Sequence, residues 1–332
     1  MLNHNTGPTI AIIGAGLAGL SCATQLQAKG FKVQVFEKSR GPSGRMSTRN
    51  GEGWSADHGA QYFMARDPLF MDELNTWLTA GVAAKWHPHL KVYEDGQWRE
   101  SASNDQRYVG IPSMNSPGKY LAKNLDVIYS QTIHSIAHKN GKWTLSSLEN
   151  GKLEGQFDFL VLAIPSPQAF ALTNLVDQSI EAKNQVDMLG CWTVMAVFNE
   201  KQSIPFDAAF INGEIISWIS RNNSKPQREG QESWTIHANP QWSQEWIELD
   251  KDEASKQILE CAKRLGLDCQ HAAISIHRWR YASGSTVANP GFKVFEDIQL
   301  GLCGDWLHGG RVEGAWLSAY RLANAITAQT TL

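Results

Sequence analysis

Residues 9–37 read TIAIIGAGLAGLSCATQLQAKGFKVQVFE and decide the fold of this chain. A short apolar run over residues 9–13 leads into a glycine-rich turn, and an amphipathic segment then continues to Lys29. A second apolar run, residues 31–36, ends at Glu37. Short apolar runs on both sides of a helix-period segment predict a strand, a turn, a helix and a second strand.

Three glycines in the turn, Gly14, Gly16 and Gly19, form the pattern G-x-G-x-x-G. In a βαβ unit the first glycine permits the tight turn, the second lets the backbone approach a pyrophosphate, and the third lets helix pack on strand. The helix N-terminus attracts the anion. Glu37 lies roughly 20 residues after Gly16, where a carboxylate accepts from a ribose 2′-OH and disfavours a 2′-phosphate. The stretch therefore predicts a site for NAD or FAD.

The bulk composition describes a globular protein with room for two domains or for one domain with a large insertion. The chain has 332 residues, 42% of them hydrophobic and 19% charged, with a net charge of −3. This balance gives no electrostatic reason to expect nucleic acid or an anionic membrane as partner. The N-terminal apolar run is broken by glycines, and no uninterrupted run of about 18 apolar residues follows, so we expect neither a signal peptide nor a spanning helix.

Cysteine and tryptophan usage adds two expectations. The five cysteines are odd in number and form no C-x-x-C pair, which argues against a disulfide framework or a metal site and favours a reducing cytoplasm. Thirteen tryptophans are many for this length. They predict either an aromatic-lined cavity or ordinary core packing.

A basic loop follows the second strand and reads KSRGPSGRM over residues 38–46. Its glycines and serines offer backbone N–H groups, and Arg40 and Arg45 add positive charge. Beside the glycine turn, such a loop suits the remainder of a pyrophosphate and whatever extends beyond it. The alternative is a solvated basic loop.

Seven motifs together resemble the flavin-containing amine oxidase superfamily, and in particular its bacterial renalase-like branch. They are GRM at 44–46, DHGAQYF at 57–63, YVGIPSM at 108–114, RNNSKP at 221–226, HRWRYA at 277–282, GDW at 304–306 and RVEGAWLS at 311–318. The N-terminal motifs imply FAD, and the middle motifs imply the branch. The sequence departs from related patterns at Pro42 and at Asn223, which leaves the fine positioning of those loops open.

No Cys or His stands at an obvious attachment point, so we expect noncovalent FAD, and the resemblance adds to the set of cofactor-binding residues. The strand end at 304–305 is expected to hold the ribityl or phosphate portion, and the helix start at Val312 to approach the pyrimidine edge of the flavin. For Glu313 the alternative is an acid that complements the helix dipole. The expected cofactor-binding residues are Gly14, Ala15, Gly16, Ala18, Gly19, Glu37, Lys38, Arg40, Gly44, Arg45, Met46, Gln61, Tyr62, Ile133, Gly304, Asp305, Val312, Glu313 and Ala315.

The rest of the chain predicts a second, sheet-rich region. Capping and turn signals predict helices over 67–81, 113–124, 250–266 and 312–328, a hairpin over 86–99, and a strand meander over 126–165. Strand-like segments at 192–198, 215–219, 233–238 and 272–278 predict an antiparallel sheet, and 298–303 a strand of the first domain. We expect an α/β fold of p-hydroxybenzoate hydroxylase-like architecture, with a Rossmann-like FAD-binding domain (1–75, 105–170, 291–332) and a substrate domain (76–104, 171–290).

A single dinucleotide fingerprint and no redox cysteine pair favour an oxidase that O₂ reoxidises, with release of H₂O₂. Renalase-like enzymes oxidise the 2- and 6-dihydro isomers of NAD(P) to NAD(P)⁺, so the resemblance implies hydride transfer from a dihydronicotinamide ring to flavin N5. Such chemistry needs stacking and orientation more than acid–base help.

Three residues are candidates for the substrate pocket, and each has a plainer alternative. Trp279 is expected as a pocket aromatic or as plain core, Asn222 as a substrate contact or as a turn residue, and His237 as a substrate contact or as a satisfied strand histidine. His58 is expected to support the flavin loop. Arg278 and Arg280 flank Trp279 on a strand and therefore point away from it, and we expect structural or rim charges there and not catalytic groups.

Two other functions remain open at this point. An FAD-dependent amine oxidase on a small amine or polyamine would use paired tyrosines, whereas Tyr281 stands alone and Tyr320 lies on the last predicted helix. A flavin-binding sensor or structural protein is the third reading. The sequence leaves the preferred isomer, the acceptance of NADP forms, the oligomeric state and covalent flavin attachment open. Cys303 lies close to a flavin motif but reads as a buried strand residue.

Overall fold

The computed structural model describes residues 7–180, 186–284 and 290–330. Its helices, numbered along the chain, are α1 (Leu17–Ala28), α2 (Pro68–Thr79), α3 (Ser116–Ala122), α4 (Ser166–Thr173), α5 (Pro240–Glu245), α6 (Lys251–Arg264) and α7 (Val312–Thr330). The first ten strands are β1 (Thr9–Ile13), β2 (Lys32–Phe36), β3 (Thr48–Gly51), β4 (Trp54–Asp57), β5 (Ala83–Trp86), β6 (Leu90–Glu94), β7 (Gln97–Glu100), β8 (Arg107–Gly110), β9 (Asp126–Ile128) and β10 (Ile133–Lys139). The others are β11 (Lys142–Ser147), β12 (Gly151–Lys152), β13 (Phe159–Leu162), β14 (Leu189–Phe198), β15 (Ala208–Ile211), β16 (Ile216–Arg221), β17 (Glu232–Ala238), β18 (Ala273–Ser283), β19 (Lys293–Phe295) and β20 (Leu300–Leu302).

The first sheet is built around β1 and has the order β19-β20-β13-β1-β2-β9. All neighbouring pairs are parallel except β19 with β20. Gly14 follows β1 with φ +105°, and a Cβ atom built on Gly19 would lie 1.8 Å from the Gly14 carbonyl oxygen. The turn and the close packing of α1 therefore require glycine at both positions. The predicted strand–turn–helix–strand unit is confirmed.

The second sheet has seven strands in the order β18-β14-β17-β16-β15-β6-β7. Its pairs are antiparallel except β15 with β6. The four strands predicted beyond residue 190 are confirmed in this sheet. The predicted 86–99 hairpin is formed by β6 and β7 around Asp95 and Gly96, and it extends the same sheet. β15 was not predicted, because its four residues carry neither a turn signal nor alternation.

The predicted meander over 126–165 is confirmed from residue 133 onward, whereas residues 126–128 form β9, which pairs with β2 in the first sheet. β10, β11 and β12 form a small antiparallel sheet, and β13 returns to the first sheet beside β1. The helix predicted over 113–124 is shorter and begins at Ser116, because residues 113–116 form a turn in which the Ser116 N–H donates to the Ser113 carbonyl.

Capping residues fix the predicted helix starts. Asp67 accepts from the Leu69 N–H at 2.9 Å at the start of α2, and Asp250 accepts from the Asp252 N–H at 2.8 Å at the start of α6. No side chain caps α1, whose N-cap is Gly16. The first N–H groups of α1 thus remain available to an anion.

Most of the tryptophan is core. The side chains of Trp77, Trp143, Trp192, Trp234 and Trp306 are fully buried and belong to three hydrophobic clusters. Plain packing thus accounts for Trp77, Trp143, Trp192 and Trp234, whereas Trp306 also lines a cavity. Among the described residues, no helix has the length and apolar character needed to cross a membrane.

Candidate flavin and substrate site

A cavity of about 440 Å³ lies where the ends of the two sheets meet. The first sheet and its helices contribute Leu17, Ala18, Ala163, Ile164, Gly304, Asp305, Trp306, Val312, Glu313 and Ala315. The second sheet contributes Cys191, Ser217, His237, Ala238, Trp279, Ala282 and Ser283. The 43–66 region adds Ser43, Arg45, Met46, Gly59, Ala60, Tyr62, Phe63, Met64 and Arg66. The structure therefore brings predicted cofactor residues and predicted substrate residues to one place.

The nucleotide end of the predicted site, at the glycine turn directly before α1, lies outside this cavity, although Leu17 and Ala18 of α1 line it. A Cβ atom built on Gly16 would meet nothing within 4 Å, so the backbone there faces open space. Glu37 is buried, and its carboxylate accepts from the Ala15 N–H at 2.7 Å and the Ser39 N–H at 2.8 Å. This carboxylate is therefore held against the glycine turn, beside the volume where a ribose is expected.

Other expected cofactor residues also lie outside the cavity wall. Lys38 and Arg40 are exposed, and Gly44 packs against Gly16, whose Cα would lie 3.2 Å from a Cβ atom added at Gly44. Ile133 is buried at the start of β10. Contact of these residues with a cofactor stays a prediction.

Arg45 and Asp305, both expected to bind the cofactor, bind each other. The Arg45 guanidinium donates to both carboxylate oxygens of Asp305, one contact being 3.0 Å, and also to the Ala282 carbonyl at 3.1 Å. Bidentate pairs of this kind are strong and directional. Arg45 thus joins the end of β20 to the end of β18 across the cavity.

Glu313 connects two helix starts. Its Oε1 accepts from the Arg66 N–H at 2.6 Å and from the Asp67 N–H at 2.7 Å, immediately before α2. Glu313 itself is in the first turn of α7 and lines the cavity. It is therefore more than an acid that complements its own helix dipole.

The backbone carbonyl of His58 orients two pocket side chains. It accepts from the Trp279 Nε1–H at 2.9 Å, and the His237 Nε2 lies 3.3 Å from it. A carbonyl oxygen only accepts, so Nε2 of His237 carries the proton and Nδ1 is left as an acceptor. The His58 ring also stacks on Trp279, with ring centroids 5.2 Å apart. His58 therefore supports the pocket wall, whereas its expected support of the flavin loop stays a prediction.

The imidazoles around Trp279 are neutral near pH 7. Burial, with positive charge on His277 and Arg49 as smaller causes, lowers the pKa of His58 to about 3. Burial likewise lowers the pKa of His237 to about 4 and that of His277 to about 4. The aromatic wall therefore carries no imidazolium charge at neutral pH.

For Asn222 the structure supports the plainer expectation, a turn residue, and corrects the expected substrate contact. It begins a short 3-10 turn after β16, is fully buried and does not line the cavity. Its Oδ1 accepts from the Asp57 N–H at 3.0 Å, and its Nδ2 donates to Thr235 Oγ1 at 3.0 Å. The structure thus places Asn222 behind the pocket wall, where it holds the 57–61 segment, and not on a substrate ring.

Gln61 has a similar place. Its Oε1 accepts from Ser220 Oγ at 2.7 Å and from Lys225 Nζ at 3.2 Å. The Gln61 side chain is therefore hydrogen-bonded within the protein and does not line the cavity, although its neighbours Ala60 and Tyr62 do. Any contact between residue 61 and a cofactor is left to its backbone.

The sequence analysis missed a buried ionic cluster of Asp57, Lys225 and Arg228. Asp57 Oδ2 lies 3.0 Å from Lys225 Nζ and 2.8 Å from Arg228 Nη2. Despite burial, these two cations hold the pKa of Asp57 well below its usual range. Asp57 and Lys225 stood in two of the quoted motifs, but no local pattern pairs residues so far apart in sequence.

Cys191 and Ser217 also line the cavity and were not predicted. Strand pairing shifts register between Leu189 and Cys191 in β14 and between Ile216 and Trp218 in β16. Such bulges redirect side chains and are common beside active sites. Gly190, directly before Cys191, is the one local signal for them.

The remaining predictions fall on the rim and in the core. Arg278 and Arg280 pair with Glu248 at the surface, which fits their expected role as rim charges. Tyr320 stacks on Trp316, and neither it nor Tyr281 lines the cavity. Cys303 is fully buried, as expected. The described residues hold no group of three His, Cys, Asp or Glu side chains suited to a metal ion.

Comparison with known proteins places this arrangement in a family. The model of the flavin containing amine oxidoreductase family matches residues 77–327, and that of an NAD(P)-binding Rossmann-like domain matches residues 12–76. The chain therefore belongs to the flavin-containing amine oxidoreductase family, an oxidoreductase family whose cofactor is FAD.

Curated relatives match over short segments. The chain is 45% identical over 53 residues to a zeta-carotene-forming phytoene desaturase of Myxococcus xanthus. It is 38% identical over 138 residues to a 4,4'-diapolycopene oxygenase of Methylomonas sp, and 35% identical over 88 residues to an L-amino-acid oxidase of Siganus canaliculatus. These matches cover 16%, 40% and 26% of this chain, and the chain spans only 10%, 27% and 16% of those relatives.

Solved structures match over nearly the whole chain at low identity. A protein from Exiguobacterium sp. 255-15, provisionally described as a protoporphyrinogen oxidase, has a TM-score of 0.79 at 11% identity and covers 98% of this chain and 99% of its own. Cyclohexylamine oxidase from Brevibacterium oxydans IH-35A has a TM-score of 0.74 at 14% identity, covering 98% and 100%. A putrescine oxidase has a TM-score of 0.72 at 14% identity, covering 97% and 99%. At these identities the likeness shows the fold alone.

The residues present fit FAD on structural grounds. An uncapped helix start, a glycine whose side would face open space, and a buried carboxylate beside it suit the pyrophosphate and ribose. The cavity then extends from Ala18 to Trp279, and the start of α7 faces it. A helix N-terminus there favours negative charge on a flavin ring.

Proposed function

We propose that the chain is an FAD-dependent oxidase that takes hydride from a dihydronicotinamide ring of the 2- or 6-dihydro-NAD(P) type, yielding NAD(P)⁺ and, with O₂, H₂O₂. One observation carries the proposal. Among the described lining residues, both carboxylates, Asp305 and Glu313, already accept strong hydrogen bonds, and the aromatic wall is neutral. Such a wall favours a flat, uncharged ring over an ammonium group.

FAD, when bound, accepts the hydride and passes its electrons to O₂. The protein side chains bind and orient. Trp279 offers a fixed aromatic face, because its Nε1–H is held by the His58 carbonyl and its ring by the His58 ring. His237 offers Nδ1 as an acceptor that suits the N–H of a carboxamide. Loss of hydride yields an aromatic cation directly, so no general base is required.

Positive charge near the cavity supports a substrate with phosphates. Arg66 and Arg311 line the cavity; the side chain of Arg66 pairs with Asp105 at 3.3 Å, whereas that of Arg311 makes no hydrogen bond or ion pair with any described residue. These guanidinium groups would attract a dinucleotide tail and repel a polyamine.

The experiment that tests the function is anaerobic mixing of the yellow holoprotein with 2- and 6-dihydro-NAD, followed by flavin absorbance. Rapid bleaching by a dihydronicotinamide is the expected result, with β-NADH, the 4-dihydro form, as the control. Failure of both isomers while amines bleach the flavin would overturn the proposal.

An amine oxidase is the second candidate, and the matching family description favours it. The same experiment with putrescine, cyclohexylamine and L-amino acids decides between the two. Tyr62 and Trp279, two of the aromatic residues that line the cavity, would flank an amine. If neither class of substrate bleaches the flavin, a flavin-binding sensor or structural protein becomes the better reading.

A further inference from the structure

The buried cluster of Asp57, Lys225 and Arg228 has two cations and one anion. The side chains of Asp57 and Lys225 are 0% exposed and that of Arg228 is 1% exposed. No other carboxylate contacts either cation among the described residues. A buried charge without a counter-ion is costly, so an excess charge retained behind a cavity wall points to a use for it.

Lys225 is an ammonium in this arrangement. Its Nζ lies 3.0 Å from Asp57 Oδ2, 3.2 Å from Gln61 Oε1 and 3.5 Å from Asn222 Oδ1. Three acceptors match the three N–H donors of an ammonium group, whereas a neutral amine has only two. Arg228 contributes a guanidinium, the second cation of the cluster.

Both oxygens of the Asp57 carboxylate accept hydrogen bonds, and its one negative charge balances only one of the two cations. Oδ2 of Asp57 receives both cations, and Oδ1 accepts from Thr48 Oγ1 at 2.5 Å and from the Met114 N–H at 3.2 Å. Thr48 and Met114 bring no charge. The cluster therefore holds one positive charge in excess.

This charge lies directly behind the cavity wall. Gln61, which accepts from Lys225, stands between the cavity-lining residues Ala60 and Tyr62. Lys225 is also close enough to act electrostatically on His237, which lines the cavity. In a buried setting with a low effective dielectric, such a charge acts over several ångströms with little screening.

We propose that Lys225 and Arg228 supply a fixed positive charge that favours the reduced, anionic form of the flavin and thereby raises its reduction potential. Hydride, one proton with two electrons, leaves the substrate ring and adds one negative charge to the cofactor, while the substrate gains one positive charge. The positive cluster stabilises the negative charge on the cofactor. Lys225 and Arg228 act on the flavin electrostatically and do not contact the substrate. The proposal therefore applies to each of the substrates considered above.

Substrate-free measurements test the proposal, so its failure is distinguishable from failure of the proposed function. Sulfite adds reversibly to oxidised flavin and leaves it negatively charged, so its Kd reports the local charge, and dye-coupled anaerobic reduction reports the potential. Lys225→Met keeps Asp57 paired with Arg228 and brings the cluster to neutrality. We expect it to weaken sulfite binding on the order of tenfold and to lower the potential.

Two variants control for structure. Lys225→Arg keeps the charge and should keep the sulfite Kd within about twofold, and Lys123→Met removes an exposed lysine and should change nothing. Arg228→Gln removes the other cation while leaving the Lys225–Asp57 pair, and should shift both readouts in the same direction as Lys225→Met. A wild-type sulfite Kd and potential in either neutral-cluster variant with FAD bound would overturn the proposal.

Discussion

At the scale of single residues, two glycines of the turn have different roles: the fold requires Gly19, whereas we expect cofactor binding to require Gly16. Gly19 is required by the protein itself, because a Cβ atom there would lie 1.8 Å from the Gly14 carbonyl oxygen. Gly16 is not, since a Cβ atom there would meet nothing within 4 Å. The open space at Gly16 is what the cofactor's pyrophosphate would occupy.

We therefore expect Gly16→Val to give a folded protein without flavin. The valine side chain fits the apoprotein but fills the approach of the pyrophosphate. Gly19→Ala should instead destabilise the apoprotein itself, because the helix cannot pack on the turn. Far-UV circular dichroism and the flavin absorbance of the purified variants check both. Stoichiometric FAD in Gly16→Val would contradict the expectation.

Trp279 gives a second residue-scale test. Trp279→Phe keeps an aromatic face but loses the Nε1–H donated to the His58 carbonyl, and Trp279→Ala loses both. We expect FAD to stay bound in both, with flavin reduction slowed moderately by the first change and more strongly by the second. Anaerobic stopped-flow reduction measures this, and a wild-type rate in Trp279→Ala would remove the residue from the pocket.

Asn222 is expected to act on stability more than on substrate. Asn222→Ala removes the acceptor for the buried Asp57 N–H and the donor to Thr235. Unpaired buried polar groups of this kind cost on the order of 1–3 kcal/mol each. Chemical denaturation should show the loss, while the KM for a substrate changes little in the folded fraction. A KM increase without loss of stability would restore Asn222 as a contact residue.

At the scale of elements, the starts of α2 and α7 share Glu313. Its carboxylate accepts from two N–H groups ahead of α2 while lining the cavity, so one side chain couples two helices to the site. The start of α6, capped by Asp250, offers a comparison, because Asp250 is absent from the cavity wall.

Glu313→Ala should lower both the free energy of unfolding and the affinity for FAD. Asp250→Ala removes a comparable cap, worth about 1 kcal/mol, and should leave FAD affinity unchanged. Urea unfolding and fluorescence titration of the apoproteins with FAD provide the two measurements. Equal FAD affinity in both variants would show that Glu313 is only a helix cap.

The elements also show what the sequence could and could not predict. Local signals, such as the glycine turn and the caps Asp67 and Asp250, are decided by neighbours in sequence, and those elements are confirmed. The Asp57–Lys225 pair joins positions 168 residues apart, and no local pattern encodes it. Asn222 was expected either as a substrate contact or as a turn residue, and the sequence did not decide between them because strand alternation cannot say which way a side chain points in the turn after a strand.

At the scale of the whole molecule, three buried or half-buried imidazoles make stability depend on pH. The pKa values of His58, His237 and His277 are lowered to about 3, 4 and 4, whereas an unfolded chain has a histidine pKa of about 6.5. Unfolding therefore takes up protons between about pH 6.5 and 4, and the free energy of unfolding falls as pH falls through this window.

Urea denaturation of the apoprotein between pH 7 and 4 measures this dependence. His277→Gln should flatten the slope, because it removes one depressed group, whereas His87→Gln at an exposed position should not. Asp57, whose pKa is held below its usual range, loses its contribution only at lower pH and does not mask the effect. An identical slope in wild type and His277→Gln would contradict the expectation.

The His58 carbonyl has a consequence for how this site tolerates mutation. Two pocket side chains, Trp279 and His237, are oriented by a main-chain oxygen, which every amino acid possesses. His58 can therefore be replaced by other amino acids without loss of the carbonyl that orients these two side chains. A substitution at position 58 replaces the ring that stacks on Trp279 and so changes the surroundings of the pocket. The hydrogen bond from the Trp279 Nε1–H to the main-chain carbonyl of residue 58 is kept.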